Sequence, residues 1–117
     1  MANAYKNKIV SVTTTNATIV YTVPAATVAL IKSISVYNKT GGASNITLSI
    51  FDKSASATTE YAYEASVASL AKTEFLEGDE STLLVLEAED QILLTSSNSG
   101  TSTPAISTVS VLQQDRT

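Results

Sequence analysis

The sequence lacks the side chains that most enzymes use for acid–base and nucleophilic chemistry. It contains no histidine and no cysteine, so the commonest general base, the commonest metal ligand and the thiolate nucleophile are absent. No serine has a histidine to activate it, and no phosphate-binding glycine loop occurs. We therefore predict that the protein is not an enzyme and that it has no catalytic residue, no cofactor and no bound metal.

Carboxylates are the remaining groups that could do chemistry. Paired carboxylates can cleave glycosides, and clusters of them can bind Ca²⁺. The candidates lie in two predicted turns: Glu77, Asp79, Glu80, Glu87, Glu89 and Asp90. Their spacing is not that of an EF-hand, and a chain with no tryptophan and 6% aromatic residues is poorly suited to a sugar cleft. We expect solvated turn residues here, with hydrolysis and calcium binding as the alternatives.

The composition favours contacts with other proteins over contacts with nucleic acid. Only 15% of the 117 residues are charged, against about 25% in a typical globular domain. A net charge of −4 argues against a nucleic-acid partner, since phosphate neutralisation needs a basic surface. No apolar run approaches the length of a membrane span, and no signal peptide precedes the first strand. A surface poor in charge suits a homo-oligomer, and an ordinary soluble sandwich is the alternative.

Charge is unevenly distributed along the chain. Residues 1–59 contain five lysines and one aspartate, whereas residues 60–117 contain ten acidic and two basic residues. This charge asymmetry could steer head-to-tail contacts between copies. Alternatively, the charges could be dispersed over interleaved strands in the folded chain.

Short strand signals recur along the whole sequence, which predicts an all-β fold. They are Ile9–Val12, Ile19–Val23, Val28–Tyr37, Ile46–Ile50, Tyr61–Val67, Thr73–Leu76, Leu83–Leu86, Ile92–Leu94 and Ile106–Leu112. About eight strands are enough for two packed sheets. We predict one domain over residues 1–117, an antiparallel, jelly-roll-like β-sandwich, with an N-terminal arm at 1–8 and a polar tail at 113–117.

The clearest strand alternates between apolar and polar residues. Val28, Leu30, Ile34 and Val36 share one parity, which predicts a single buried face. Lys32 falls on the same parity, and either a β-bulge or a snorkelling side chain would accommodate it. The glycine turn that follows predicts a hairpin with the strand at 46–50.

Three other segments have less regular patterns. Residues 61–67 fit a strand and also a helical stripe, and we predict a strand because the neighbouring elements are strands. The apolar runs 83–86 and 92–94 are continuous, which predicts that both of their faces are covered. In a small sandwich the second cover would be another subunit.

Two long segments resemble small virion proteins of tailed bacteriophages. The first runs from Tyr21 through Pro24 and Ala25 to Ile34 and ends in the turn at residues 37–42. The second runs from Leu84 to Ile92 and continues in the strand at 106–112. The chain departs from the pattern at Ala26 and Glu89, where glycine is usual.

The resemblance implies a β-sandwich located in the virion and assembled in the host cytoplasm. Its partners would be copies of itself and other virion proteins, such as the major capsid protein or tail components. A capsid decoration or cement protein is our first interpretation, a tail, neck or fibre component the second, and a carbohydrate-binding or adhesive module the third. Tyrosine, arginine and the basic arm suggest the contact residues, which are Tyr5, Lys6, Lys8, Tyr61, Tyr63 and Arg116.

Overall fold

A computed structural model describes residues 3–39, 42–75, 84–97 and 105–115. These residues form nine β-strands: β1 (Asn3–Val12), β2 (Thr18–Thr22), β3 (Thr27–Asn38), β4 (Ser44–Asp52), β5 (Ala57–Val67), β6 (Lys72–Glu74), β7 (Leu84–Leu86), β8 (Gln91–Ser96) and β9 (Ala105–Asp115). The described part of the chain has no helix with the length and hydropathy of a membrane span.

The strands form two antiparallel sheets that pack face to face. The first sheet has the order β1-β9-β3-β6, with β7 also paired to β3, and the second has the order β2-β8-β4-β5. Consecutive strands therefore tend to lie in opposite sheets, which is the arrangement of a jelly roll in which β6 and β7 share one strand position. The prediction of an all-β, jelly-roll-like sandwich is confirmed.

The core lies between the sheets and consists of aliphatic side chains. Ile31, Ile34 and Val36 of β3 face the interior together with Leu48 and Ile92 of the second sheet, and all five are fully buried. Alternate residues on these strands point to opposite faces, so the sandwich has one continuous core and two outer faces.

A β-bulge at Lys32 changes which residues of β3 face the core. Ile31 pairs with Val111 and Ser33 with Ser110, so Lys32 is the extra residue. The bulge is one of the two alternatives predicted for this position. It also corrects the face assignment, because Leu30 lies on the outer face and Ile34 on the inner one.

The predicted hairpin between the third and fourth strands is wrong. β3 belongs to the first sheet and β4 to the second, so the chain changes sheet between Asn38 and Ser44. Both strands bury one apolar face, and two strands with this pattern can pack across a core as well as side by side. The sequence pattern is the same in both cases.

Other segments agree with the sequence in type and differ in extent. Residues 61–67 belong to β5, so the strand prediction is confirmed, and the strand already begins at Ala57. Residues 3–8, expected to form an arm, are the first part of β1 and pair with β9. Residues 113–115, expected in the tail, are the end of β9.

The two apolar runs are covered on one face only within this chain. In β7, Leu86 is buried whereas Val85 is 55% exposed, and in β8, Ile92 and Leu94 are buried whereas Leu93 is partly exposed. Cover of the second face by another subunit therefore stays a prediction. Leu83 lies outside the described residues.

Four described non-glycine residues have φ in the left-handed region, and two of them lie in adjacent turns, with φ of 54° at Ala26 and 67° at Glu89. These are the positions where the phage pattern has glycine. The turns lie side by side, because the Glu89 N–H donates to the Val23 carbonyl and the Val23 N–H donates to the Asp90 carbonyl. The left-handed conformation is unfavourable for residues with a Cβ atom.

We expect Glu89→Gly to raise the free energy of unfolding by about 0.5–1 kcal/mol, since relief of the left-handed strain exceeds the added entropy of the unfolded chain. Urea unfolding followed by circular dichroism measures the change. Glu87→Gly is the matched control, because Glu87 lies in the same turn with negative φ, and it should destabilise by about 0.5–1 kcal/mol. Equal effects of the two substitutions would contradict this account.

Candidate functional site

Asp90 joins three loops at one end of the sandwich. It is 6% exposed, and its carboxylate accepts the Lys53 N–H at 3.0 Å and the Glu87 N–H at 2.9 Å. Its backbone carbonyl accepts the Val23 N–H at 2.9 Å. Because a buried carboxylate needs hydrogen-bond donors, Asp90 holds together the β2–β3, β4–β5 and β7–β8 connections.

Three of the described carboxylates come close together at this end. One oxygen atom from each of Asp52, Glu87 and Asp90 lies within 4.8 Å of the others. Asp52 accepts the Ser54 hydroxyl at 2.7 Å and the Ser54 N–H at 3.0 Å. The Ser54 hydroxyl is the main cause that holds the pKa of Asp52 below its usual value. Hydrogen bonds to backbone and serine groups therefore account for the placement of Asp52 and Asp90.

The sequence had pointed to six acidic turn residues, and the structure separates them. Glu87 and Asp90 join the cluster, and Asp52 is an additional member that comes from the β4–β5 connection. Glu89 is exposed and serves as the left-handed turn residue. Glu77, Asp79 and Glu80 lie outside the described residues. The candidate carboxylates for hydrolysis or calcium binding among the described residues are therefore those of this cluster. Its most buried member already accepts two backbone N–H groups.

An acid-lined groove of about 320 Å³ opens beside this cluster, between the two sheets. Its apolar lining comes from Ile50 of β4 and from β7. Its carboxylates are Asp52, Glu60, Glu87 and Asp90. We call it the acidic groove.

The outer face of the first sheet carries a row of apolar side chains. Strand register places Tyr5 opposite Leu112, Leu112 opposite Leu30, and Leu30 opposite Val85. The adjacent residues Val111 and Ala29 are buried in the core, so these four side chains point outward. We call them the outer row. Its two ends are the most open, since Tyr5 is 76% exposed and Val85 is 55% exposed.

Two basic residues of this sheet, Lys6 and Lys32, lie near the Tyr5 end of the outer row. The Lys32 ammonium nitrogen is 5.8 Å from the centre of the Tyr5 ring, which is within the range of a cation–π contact. Tyr5, Lys6 and Lys32 line a shared groove of about 460 Å³. The bulge at Lys32 is what turns its side chain outward beside β1.

The predicted contact residues are only partly brought together. Tyr5, Lys6 and Lys8 are exposed on β1, with Lys8 close to β2. Tyr61 and Tyr63 belong to β5, but their side chains are not described, and Arg116 lies outside the described residues. Sequence reasoning missed Leu30, Leu112 and Val85 as surface residues. The alternation of residues along β9 places Leu112 on the outward-facing side, and this was the signal available in the sequence.

Tyr21 closes the core near β1 and β2. Its side chain is 6% exposed, and its hydroxyl accepts the Gln113 side-chain N–H at 2.7 Å. Burial raises the pKa of Tyr21 above its usual value of 10.0. The hydroxyl therefore remains neutral and ties the second sheet to β9 of the first.

No family model and no curated protein matches this chain. Among solved structures, a chain from the disulfide-linked pili of Bacillus endospore appendages matches with a TM-score of 0.51 and 12% identity, covering 96% of this chain and 84% of that one. The virus-like particle of the extra small virus of the giant freshwater prawn Macrobrachium rosenbergii matches with a TM-score of 0.44 and 11% identity, covering 97% and 80%. The likeness to the pilus chain is one of fold.

Proposed function

We propose that this chain is a non-enzymatic structural component of a bacteriophage virion, which decorates the capsid and stabilises the shell through protein–protein contacts. The observation that carries the proposal is the outer row, which leaves Tyr5 and Val85 largely in water on an otherwise well-packed sandwich. Exposed apolar patches of this kind are typical of interaction sites. The absence of histidine and cysteine from the sequence supports a passive role.

The mechanism would be burial of apolar surface repeated over many copies. Burial stabilises by about 25 cal/mol per Å² of apolar area, and the cost of ordering each copy offsets part of this gain. Tyrosine is a common anchor at interfaces because it buries a large area with few rotatable bonds. Even a weak contact then stabilises a shell in which symmetry repeats it.

A tail, neck or fibre component of the same kind of particle is the second candidate. The pilus chain supports it, since a chain with a similar fold belongs to an extended assembly. Those pili are disulfide-linked, whereas this chain has no cysteine. Contacts between its copies would therefore involve no disulfide.

The test adds the purified chain to phage particles that lack it, and measures binding by co-sedimentation and shell melting by differential scanning fluorimetry. We expect binding with a higher melting temperature of the shell. Tyr5→Ser combined with Val85→Ser should weaken binding at least about ten-fold, which is about 1.4 kcal/mol. Ile19→Ser is the matched control, because Ile19 is 49% exposed on the other sheet. A chain without affinity for the particles would refute the proposal, and cryo-electron microscopy showing it on the tail would favour the second candidate.

A further inference from the structure

Two surfaces on opposite sides of the sandwich carry opposite charge, although β6, which shares the strand position of β7, adds the exposed Lys72. β1 and β2 are the end strands on one side and contact each other, whereas β5 and β7 lie on the opposite side and both line the acidic groove. The first side presents Lys6 and Lys8 on β1 with Lys32 beside them, all three exposed. We call these three residues the lysine edge.

Both sides also leave apolar side chains uncovered. Tyr5 and Ile9 on β1 are 76% and 63% exposed. Val85 in the lining of the acidic groove is 55% exposed, and Ile50 and Leu84 beside it are partly exposed. Lys53 follows Asp52 in the turn but is not among the residues that line the groove. The groove therefore combines four carboxylates with an apolar lining, and the lysine edge combines ammonium groups with an aromatic and an aliphatic side chain.

We propose that the lysine edge of one copy binds the acidic groove of a second copy, so that the chain associates head to tail. Charge complementarity selects this partner, because like sides repel and only opposite sides attract. Among the described residues β1 is the end strand of its sheet, and an end strand can pair with another chain unless something blocks it. The contact joins different surfaces of the two copies, so it builds rings or filaments rather than closed two-fold dimers.

This contact concerns copies of the chain and holds whichever particle they belong to. Its test is the weight-average mass of the purified full chain by analytical ultracentrifugation. We expect the mass to rise with concentration in about 0.01 M salt and to fall towards the monomer in about 1 M salt, because salt screens exposed charges. A monomer in both conditions would overturn the proposal and would indicate that Lys6 and Lys8 only protect a free edge.

Charge reversal tests the pairing itself. Lys6→Glu with Lys8→Glu should abolish self-association, and so should Glu60→Lys with Glu87→Lys. All four residues are exposed, so each variant should keep the melting temperature of the parent. A mixture of the two variants should restore association limited to pairs, since one variant keeps the acidic groove and the other keeps the lysine edge. Failure of the mixture to associate, with both folds intact, would refute head-to-tail pairing.

Particle binding is measured separately, and this keeps the two proposals distinguishable. If the charge variants lose self-association but still bind the shell, both proposals stand. If the charge variants still self-associate as the parent does, the head-to-tail contact is wrong and the capsid role is untouched.

Discussion

Asn38→Ala is expected to lower the free energy of unfolding by about 2–4 kcal/mol, because it removes a buried amide that donates to three carbonyl groups. Asn38 is fully buried at the end of β3. Its side-chain amide donates to the carbonyls of Gly42 at 3.0 Å, Val67 at 2.9 Å and Ala68 at 3.3 Å. One amide therefore ties the crossover between the sheets to the end of β5.

The backbone of Asn38 strengthens the same junction. Its N–H donates to the Ala71 carbonyl at 2.9 Å, and its own carbonyl accepts the Leu70 N–H at 2.7 Å. Asn38→Asp should be at least as harmful as the alanine variant, because a carboxylate would oppose carbonyl oxygens and bury a charge. Asparagine satisfies this site because its amide donates two protons without carrying a charge.

Asn45→Ala is the matched control, since Asn45 is exposed on β4 and should change stability by less than about 0.5 kcal/mol. Equilibrium urea unfolding followed by circular dichroism gives the free energies for all three variants. Similar values for Asn38→Ala and Asn45→Ala would show that the crossover is not held in the way described.

Ile34→Ala is the second substitution with a large expected effect, a loss of about 2–5 kcal/mol from the removed methyl groups and the cavity they leave. Ile34 is fully buried in the core, where it packs among Ile31, Val36 and the facing strands. Small domains have a total stability of about 5–15 kcal/mol, so this single change removes a large share of it.

Ile9→Ala supplies the control with the same change of side chain in the same sheet. Ile9 is 63% exposed, so its truncation should cost less than about 0.5 kcal/mol. Thermal unfolding of both variants should show a large fall in melting temperature for Ile34→Ala only. A small effect at Ile34 would mean that β3 does not present this residue to the core, and therefore that the bulge at Lys32 is misplaced.

The phage-like segments meet in the structure although they are far apart in the sequence. The Pro24 turn and the Glu87–Asp90 turn are hydrogen-bonded through Val23, Glu89 and Asp90. Their left-handed residues, Ala26 and Glu89, take the conformation that glycine favours. These neighbouring turns therefore hold the two sheets together at one end.

The sequence by itself determined the strand content, the all-β class and the lack of histidine and cysteine chemistry. Alternation of apolar and polar residues was sufficient to predict the strands, since side chains on a strand point to opposite faces with a period of two. It also marked Lys32 as a break in the pattern, and a β-bulge lies there.

Tertiary structure alone decided which strands are neighbours, which residues the bulge turns outward, and which groups meet across the chain. Period-two alternation gives a strand a buried face but no partner, so β3 and β4 looked like a hairpin and lie in different sheets. The same limit hid the outer row and the acidic groove, because each is assembled from strands far apart in sequence. Such surfaces depend on long-range register, and local sequence carries no record of it.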